Sequence, residues 1–363
     1  MRRDDLNFLA CPVCGGGLSA EGSDPAIEKA LLKCAGCGRD YPVIRGIPRL
    51  LPDSLMPVLA AQLKEDFSGF SFSFPLEKRD HRSTIETEDF LAKQRATMSA
   101  FAYEWNEFTE LSPEFCENEY VRTLAPLPPD IVQGKNVLEA GTGVGFFLDR
   151  MQHYGAKRLF GMNLGLDVET AGRRTAHYGN VTAVQGDIFH LPFKPGLDFI
   201  ISHGVIHHLP EPETGFRSLV KALKAGGEIF IWVYGKDPAV PAIEFLRKAM
   251  HRMPKPLANL LSLPCALPLL FAKWAYLSLR AAGLYAAAEK VPYRQYAVRN
   301  FREMHCTIMD KLFVPVVNYY DEDDVRPWFD RAGLGGVSIS NRDGNSWSCY
   351  GVKGSSPEAG AHA

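Results

Sequence analysis

From residue 135 to about 235, short runs of aliphatic and β-branched residues alternate with longer segments in which apolar residues recur at helical spacing. The short apolar runs predict buried parallel strands, and the segments with helical spacing predict helices packed on a sheet. We predict strands at 136–139, 158–163, 181–185, 198–202 and 228–234, with helices at 145–154, 167–177 and 214–223. This order is typical of a doubly wound, Rossmann-like α/β sheet.

The pattern changes on both sides of this segment. A helical, proline-broken insertion is predicted at 237–310, and a helix at 321–332 and strands at 336–340 and 346–352 then complete the sheet. Within the mostly helical part before residue 130, Phe101, Trp105 and Phe108 share one helix face, which packs either on the core or over a cofactor pocket. The predicted domains are a small module at 1–52, a helical linker or cap at 53–129, a catalytic domain at 130–353 that includes the insertion, and a disordered tail at 354–363.

A glycine-rich turn follows the first strand of the alternating segment, in the sequence Val-Leu-Glu-Ala-Gly-Thr-Gly-Val-Gly-Phe-Phe at 137–147. Glycines permit positive φ and a close approach of backbone to ligand. The dinucleotide fingerprint Gly-x-Gly-x-x-Gly is not met, because Phe146 occupies the position of its third glycine. A carboxylate at Glu139 would repel a phosphate but suits a cofactor with an amino group and a sulfonium. S-adenosylmethionine is such a cofactor.

The other strand ends supply the remaining candidates, because ligands of such sheets bind outside the carboxyl ends of the strands. Asn163 stands where an acidic residue would normally hold the ribose hydroxyls, and Asp167 is either a substitute for it or a helix cap. Asp187 can accept a hydrogen bond from an adenine amino group, with Ile188 as an apolar wall. The candidate cofactor contacts are Glu139, Gly141, Thr142, Gly143, Asn163, Asp187, Ile188 and Ser202.

A histidine-containing segment at 202–210, Ser-His-Gly-Val-Ile-His-His-Leu-Pro, should lie beside the reacting group. Histidine titrates near neutrality and can serve as a general base. We rank His203 and His207 above His208, since two adjacent side chains in regular structure cannot both face one pocket. His305 is a weaker candidate, and a purely structural role for all of them is the alternative.

Four motifs in order resemble class I S-adenosylmethionine-dependent methyltransferases, especially those of the ubiquinone and menaquinone C-methyltransferase type. The motifs are the glycine turn, Gly186-Asp187, the segment 197–210, and Leu-Lys-Ala-Gly-Gly at 223–227. The resemblance covers about residues 130–235. It implies a seven-stranded sheet with an antiparallel last strand and carries the cofactor contacts to Glu139, Gly141, Gly143, Asp187 and Ile188.

Two Cys-x-x-Cys pairs, Cys11 with Cys14 and Cys34 with Cys37, are each followed by glycine and separated by nineteen residues. Four thiolates at this spacing are typical of a closed, structural zinc site. A redox dithiol is the alternative, although it would need only one pair beside a βαβ unit. The module resembles the zinc ribbon of the small activator subunit of tRNA and protein methyltransferases. Bacterial ribosomal RNA guanine methyltransferases also place a zinc ribbon before this catalytic fold, so the arrangement leaves the substrate open.

The chain has a net charge of −2, which provides no overall attraction to nucleic acid or to anionic membranes. No long apolar run follows the N-terminus, so we expect a cytoplasmic location. An uncharged stretch at 256–272 is flanked by cations and a tryptophan. It could cover a lipophilic acceptor, rest on a membrane through 247–280, or bury itself on the sheet or in a homodimer.

These patterns predict methyl transfer from S-adenosylmethionine to carbon or oxygen of a hydrophobic small molecule, such as a quinone, lipid or polyketide. The apolar insertion and the near-neutral charge favour that acceptor. RNA methylation is the alternative, favoured by the zinc ribbon and a local Arg/Lys cluster. A non-catalytic methyltransferase-like partner protein is a third hypothesis, because Asn163 departs from the acidic residue expected at the ribose.

Overall fold

A computed structural model describes residues 1–354 apart from residues 75, 77, 78 and 80. Beyond Gly354, the tail predicted as disordered lies outside the described residues. Eleven strands of the described part form one continuous sheet. They are β1 Leu18–Ala20, β2 Ala30–Cys34, β3 Asp40–Ile44, β4 Ile47–Leu50, β5 Asn136–Ala140, β6 Arg158–Asn163, β7 Val181–Gly186, β8 Leu197–His203, β9 Leu223–Tyr234, β10 Leu334–Arg342 and β11 Ser346–Lys353.

The α-helices lie between and before these strands. They are α1 Met56–Gln62, α2 Lys64–Ser68, α3 Glu88–Glu107, α4 Pro113–Leu124, α5 Phe146–His153, α6 Val168–Thr175, α7 Pro212–Ala222, α8 Val240–Met250, α9 Lys255–Ser262, α10 Leu267–Ala281, α11 Tyr285–Ala288, α12 Phe301–Leu312 and α13 Glu322–Arg331. Every strand and helix predicted between residues 136 and 352 is present, with ends that differ by a few residues. The largest difference is β9, which begins at Leu223 rather than at residue 228.

The strand order is β1-β2-β3-β4-β7-β6-β5-β8-β9-β11-β10. Strands β5 to β9 are parallel, whereas β11 is antiparallel to both β9 and β10, as the family resemblance implies. The chain leaves β5 for β6 on one side and returns to β8 on the other. Because the strand order reverses there, a crevice opens at the carboxyl end of β5.

The N-terminal module extends the sheet of the catalytic domain. Strand β4 runs parallel to β7, with Arg49 opposite Gln185 and Leu50 opposite Gly186. All four residues of β4 are buried. The module therefore covers an edge of the parallel sheet that would otherwise present unpaired backbone groups.

Charged side chains buried at this junction join the module to the neighbouring strands. Arg49 is fully buried, donates to Gln185 Oε1 at 3.0 Å and pairs with Glu169 on α6. Asp5 is also fully buried, pairs with Arg158 of β6 and accepts a hydrogen bond from Thr182. Since a buried charge is stable only when it is paired, these contacts fix the position of the module on the sheet. The domain boundaries themselves stay a prediction.

The insertion consists of helices α8 to α12 and two 3₁₀ turns. Its prolines stand at helix starts: Pro264 lies in the 3₁₀ turn at 263–266, and Pro268 lies in the first turn of α10. The stretch Lys255–Ala281 is helical over 27 residues, with a mean hydropathy of 1.5 in its most apolar window and 17% of that window buried. Length and composition alone would allow this stretch to cross a membrane. The core helix of a soluble protein can have the same length and composition.

Candidate functional site

A cavity of about 270 Å³ opens at the carboxyl ends of β5 to β9. The sheet forms its floor, and helices α3, α4 and α12 contribute side chains to its walls. The predicted site residues that line it are Glu139, Gly141, Thr142, Gly143, Asn163, Asp187, Ile188 and His203. Ser202 and His207 do not line it. The Ser202 side chain is fully buried and its hydroxyl donates to the carbonyl oxygen of Ala140 at 2.9 Å. The predicted contact of Ser202 with the cofactor stays a prediction.

The glycine turn needs its glycines for two physical reasons. Gly141 has a φ of +87°, and a Cβ built there would lie 2.1 Å from Val205 Cγ2. Gly143 has a φ of +52°, and a Cβ there would lie 3.1 Å from the Trp105 ring. Trp105 comes from α3, and Phe101 on the same helix also lines the cavity. Of the two predicted roles for this helix face, the cap over the pocket therefore describes Phe101 and Trp105, whereas Phe108 is buried in a hydrophobic cluster.

Glu139 lies at the bottom of the turn with only 4% of its surface exposed. Its carboxyl group accepts a hydrogen bond from the Thr142 hydroxyl at 2.6 Å. Burial raises the pKa of Glu139 to about 8, although this hydrogen bond acts in the opposite direction. A cation in the cavity would favour the ionised carboxylate, and the amino group of the predicted cofactor is such a cation.

This environment makes cofactor binding depend on pH. Below the pKa of about 8 the free protein carries a protonated Glu139, so binding of an ammonium group must release that proton. We expect the affinity for S-adenosylhomocysteine to rise with pH, by up to about tenfold per pH unit below that pKa. Calorimetric titrations in buffers of different ionisation enthalpy measure the proton release. In the Glu139→Gln variant, both the proton release and the pH dependence of binding should disappear. A wild-type affinity that does not change with pH would contradict the role of Glu139 in binding the ammonium group.

Asn163 and Asp167 lie side by side in the cavity wall, where the Asn163 amide donates to the Asp167 carboxylate. Asp167 is the N-cap residue of α6, as the alternative prediction had it, but its side chain makes no capping hydrogen bond and instead accepts from Asn163. Burial raises the pKa of Asp167 to about 7. The pair therefore places a carboxylate and an amide at the end of β6, which is the donor and acceptor chemistry that ribose hydroxyls need.

Asp187 is 2% exposed, and neighbouring side chains already occupy both of its oxygens. Oδ1 accepts a hydrogen bond from Gln94 Nε2 at 2.9 Å, and Oδ2 contacts His190 Nδ1 at 2.8 Å. Gln94 Oε1 is buried without a hydrogen-bond partner among the described residues, and Gln94 lines the cavity. The predicted contact of Asp187 with the adenine amino group stays a prediction. Gln94 offers a second acceptor for that group, and no motif in the sequence pointed to this residue.

Of the two adjacent histidines, His208 lines the cavity and His207, which we ranked above it, does not. His207 is fully buried, with its ring centroid 4.1 Å from that of Tyr234, whereas His208 faces the cavity. The 3₁₀ turn at Ile206–His208 causes this, because successive side chains of such a turn point in different directions. His203 also lines the cavity, but its ring stacks on Phe147 and burial lowers its pKa to about 4. His305 does not line the cavity and instead contacts the Ser262 hydroxyl at 2.7 Å.

His208 has the geometry of a base. Its Nδ1 lies 2.8 Å from the carbonyl oxygen of Val316, which can only accept a hydrogen bond. Nδ1 is therefore protonated, and the lone pair lies on Nε2. Nε2 is buried without a hydrogen-bond partner among the described residues, 3.9 Å from Asp310 Oδ1. Burial lowers the pKa of His208, while the Asp310 carboxylate acts in the opposite direction.

Charged residues that the sequence did not suggest as site residues line the same cavity. They include Glu119 and Arg122 of α4, Arg299 before α12, and Asp310 and Lys311 of α12. Glu119 pairs with Arg299 at 2.7 Å and with Arg122 at 2.9 Å. Burial opposes ionisation of Glu119, but these two guanidinium groups hold its pKa at about 2. The cavity therefore combines apolar and aromatic side chains with charged side chains on the wall that α4 and α12 form.

The four cysteines of the module converge as predicted. The Sγ atoms of Cys11, Cys14, Cys34 and Cys37 all lie within 4.8 Å of one another. Tetrahedral zinc with Zn–S bonds of about 2.3 Å requires sulfur–sulfur distances of about 3.8 Å. The Sγ atoms of Cys11 and Cys37 are 3.6 Å apart, and those of Cys14 and Cys34 are 3.4 Å apart. Burial raises the pKa of Cys11 to about 12, so its thiolate needs a nearby cation. The sulfur cluster thus fits a structural zinc ion.

Comparison with known proteins gave two family matches. Residues 138–231 match the methyltransferase domain family, and residues 3–46 match the family of Trm112p-like proteins. A tRNA U34 carboxymethyltransferase from Campylobacter hominis is 32% identical over 104 residues, which is 28% of this chain and 36% of that protein. A ubiquinone biosynthesis O-methyltransferase from Sodalis glossinidius is 29% identical over 128 residues, which is 33% of this chain and 51% of that protein.

Among solved structures, magnesium protoporphyrin IX methyltransferase from Synechocystis PCC 6803 with bound S-adenosylhomocysteine aligns with a TM-score of 0.42 and 13% identity. The alignment covers 73% of this chain and 99% of that one. The curated relatives are matched over only 35% to 53% of their lengths.

Proposed function

We propose that this chain, which joins a Trm112p-like zinc module to a class I methyltransferase domain, transfers a methyl group from S-adenosylmethionine to a ring-sized acceptor. One observation carries the proposal. The glycine turn, Glu139 and the Asn163–Asp167 pair open into the same cavity as a set of aromatic side chains. The first group suits the cofactor, and the second suits a flat acceptor next to it.

When bound, the cofactor supplies an electrophilic methyl group on a sulfonium. The protein then has to align the acceptor with that methyl group and to remove a proton where the acceptor requires it. Planar rings stack well on aromatic side chains. The cavity offers the rings of Phe101, His203, His208, Trp232, Tyr234 and Tyr296.

His208 is positioned to take the proton. Its free Nε2 can accept a hydrogen bond from an acceptor hydroxyl or ring N–H, and Asp310 would stabilise the imidazolium that forms. The hydroxyl of Tyr234 donates to Asp310 and fixes the orientation of that carboxylate. This assignment replaces His207, which is packed behind the cavity wall.

Substitution of His208 tests the assignment. We expect His208→Ala to lower kcat by about 10²-fold and to remove the acidic limb of its pH profile. The affinity for S-adenosylhomocysteine should stay within twofold of wild type, since His208 acts on the acceptor. His153→Ala, on an exposed histidine at the end of α5, is the control and should be fully active. Wild-type kcat in His208→Ala would exclude a base at this position.

Two acceptor classes fit a ring-sized site, and different observations favour them. The Trm112p-like module and the relatives named as tRNA U34 carboxymethyltransferases favour an RNA base. The relatives named as ubiquinone biosynthesis O-methyltransferases and the apolar insertion favour a hydrophobic small molecule. The comparisons support RNA more strongly than the sequence patterns alone suggested.

A labelling experiment separates these acceptors. The full chain is incubated with cofactor carrying a labelled methyl group and either bulk RNA or a lipid extract. Label in the RNA, sensitive to ribonuclease, identifies a polynucleotide acceptor, and label in the lipid extract identifies a small lipophilic one. Absence of label from both fractions, together with no binding of S-adenosylhomocysteine, would favour the third hypothesis, a non-catalytic partner protein in which Asn163 has abolished cofactor binding.

A further inference from the structure

Helices α9 and α10 of the insertion expose several large apolar side chains. Helix α10 exposes 72% of Phe271 and 60% of Trp274, and α9 exposes 62% of Leu260. Along α10 the exposed apolar positions recur every three or four residues and form one stripe. The insertion also exposes Phe245, Leu246, Leu257, Leu261, Leu267, Leu277, Leu284, Tyr285, Tyr293, Val298 and Phe301.

The other side of these two helices is covered by protein. Ala266 and Leu269 are buried with Tyr296 and Met304 of the same insertion, and Ala258 of α9 is buried in a cluster with Phe108, outside the insertion. The exposed apolar stripe therefore lies on the side of α10 that has no protein partner among the described residues. An exposed apolar stripe of this kind is typical of an interaction site.

The charge pattern of the same segment indicates what covers it. Between Glu244 and Glu289 the chain has no acidic residue, although it carries 42 in total. Six cations lie in that interval: Arg247, Lys248, Arg252, Lys255, Lys273 and Arg280. Lys248, Arg252 and Arg280 are exposed. An apolar stripe with a tryptophan and flanking cations matches the interface of an anionic bilayer. A second copy of the chain would bring like charges together across a symmetric interface.

We propose that helices α9 and α10 dock this protein on the surface of anionic membranes. Phe271 and Trp274 would enter the region between head groups and acyl chains, and the exposed cations would contact lipid phosphates. Helix α12 packs against α8 and α9 and also carries Asp310 and Lys311 of the cavity wall. A docked bilayer would thus lie one helix away from the cavity, which would favour a membrane-resident acceptor over RNA.

Vesicle sedimentation of the full chain tests the proposal without cofactor or acceptor, so its outcome is independent of methyl transfer. We expect binding to phosphatidylcholine vesicles that contain phosphatidylglycerol, weaker binding to pure phosphatidylcholine, and loss of affinity at high salt. For the double variant Phe271→Ser, Trp274→Ser, the affinity for the anionic vesicles should fall by more than about tenfold. Val121→Ser, at an exposed apolar position of α4, is the matched control and should bind like wild type.

Trp274 also provides a direct probe. Its fluorescence should shift to the blue and be quenched by brominated lipids, whereas the Trp274→Phe variant should lose the quenched component. No sedimentation with anionic vesicles, or equal sedimentation of the double variant, would overturn the proposal. A wild-type dimer in analytical ultracentrifugation that the double variant abolishes, without vesicle binding, would assign the surface to a second copy instead.

Discussion

The Arg49→Ala variant should be destabilised by about 3 kcal/mol or more in urea unfolding, because it leaves Glu169 partly buried without its closest partner. It should also weaken the junction between β4 and β7, since Arg49 donates to Gln185 across those strands. The Arg49 side chain is fully buried, and its contacts belong to both the module and the catalytic domain. Loss of zinc at lower chelator concentration should accompany the destabilisation.

Arg45→Ala is the matched control for this effect. Arg45 pairs with the same carboxylate at 2.9 Å, but 52% of its side chain is exposed. Solvent-exposed ion pairs contribute about 0–1 kcal/mol, so this variant should unfold close to wild type. Equal stability losses in the two variants would show that the buried pair does not hold the module on the sheet.

The Gly141→Ala variant should lose measurable binding of S-adenosylhomocysteine. The added Cβ would lie 2.1 Å from Val205 Cγ2, so either the turn or the segment after β8 must move. A displacement of about 1 Å at a site can cost 10²-fold, and both segments line the cavity. Calorimetric titration of the folded variant measures the loss.

Gly134→Ala is the control that separates the clash of the added Cβ from the strain of a side chain at positive φ. Gly134 has a φ of +69°, and a Cβ there would meet no atom within 4 Å. Both variants place a side chain at positive φ, which costs about 1 kcal/mol. Only Gly141→Ala should change cofactor affinity. If both variants bind equally well, the glycine turn is not part of the cofactor site.

The sequence was sufficient for the parts of the fold that depend on local pattern. Buried parallel strands are near-continuous apolar runs, so β5 to β8 could be located from sequence alone. The pairing of β4 with β7 could not be predicted in this way. Ile47–Leu50 contains a proline and an arginine, which are uncommon in a buried strand. Two side-chain partners of Arg49, Gln185 and Glu169, lie more than a hundred residues away along the chain.

The functional site could likewise be predicted only where its residues are close together in the sequence. The glycine turn and the cysteine pairs carry their chemistry in adjacent residues, and the structure brings each set together. The choice between His207 and His208 depends on the direction of a single 3₁₀ turn, which adjacent identical residues cannot reveal. Asp310 reaches the cavity only because α12 folds back over the sheet from the far end of the insertion.

If the cavity at the carboxyl ends of β5 to β9 binds S-adenosylmethionine, it should also bind the product, S-adenosylhomocysteine. Calorimetric titration of the full, zinc-loaded chain with S-adenosylhomocysteine near pH 8 measures this binding. We expect saturable one-to-one binding that Glu139→Gln weakens by more than about tenfold while the variant stays folded. No heat of binding and no thermal shift with the wild-type chain would contradict it.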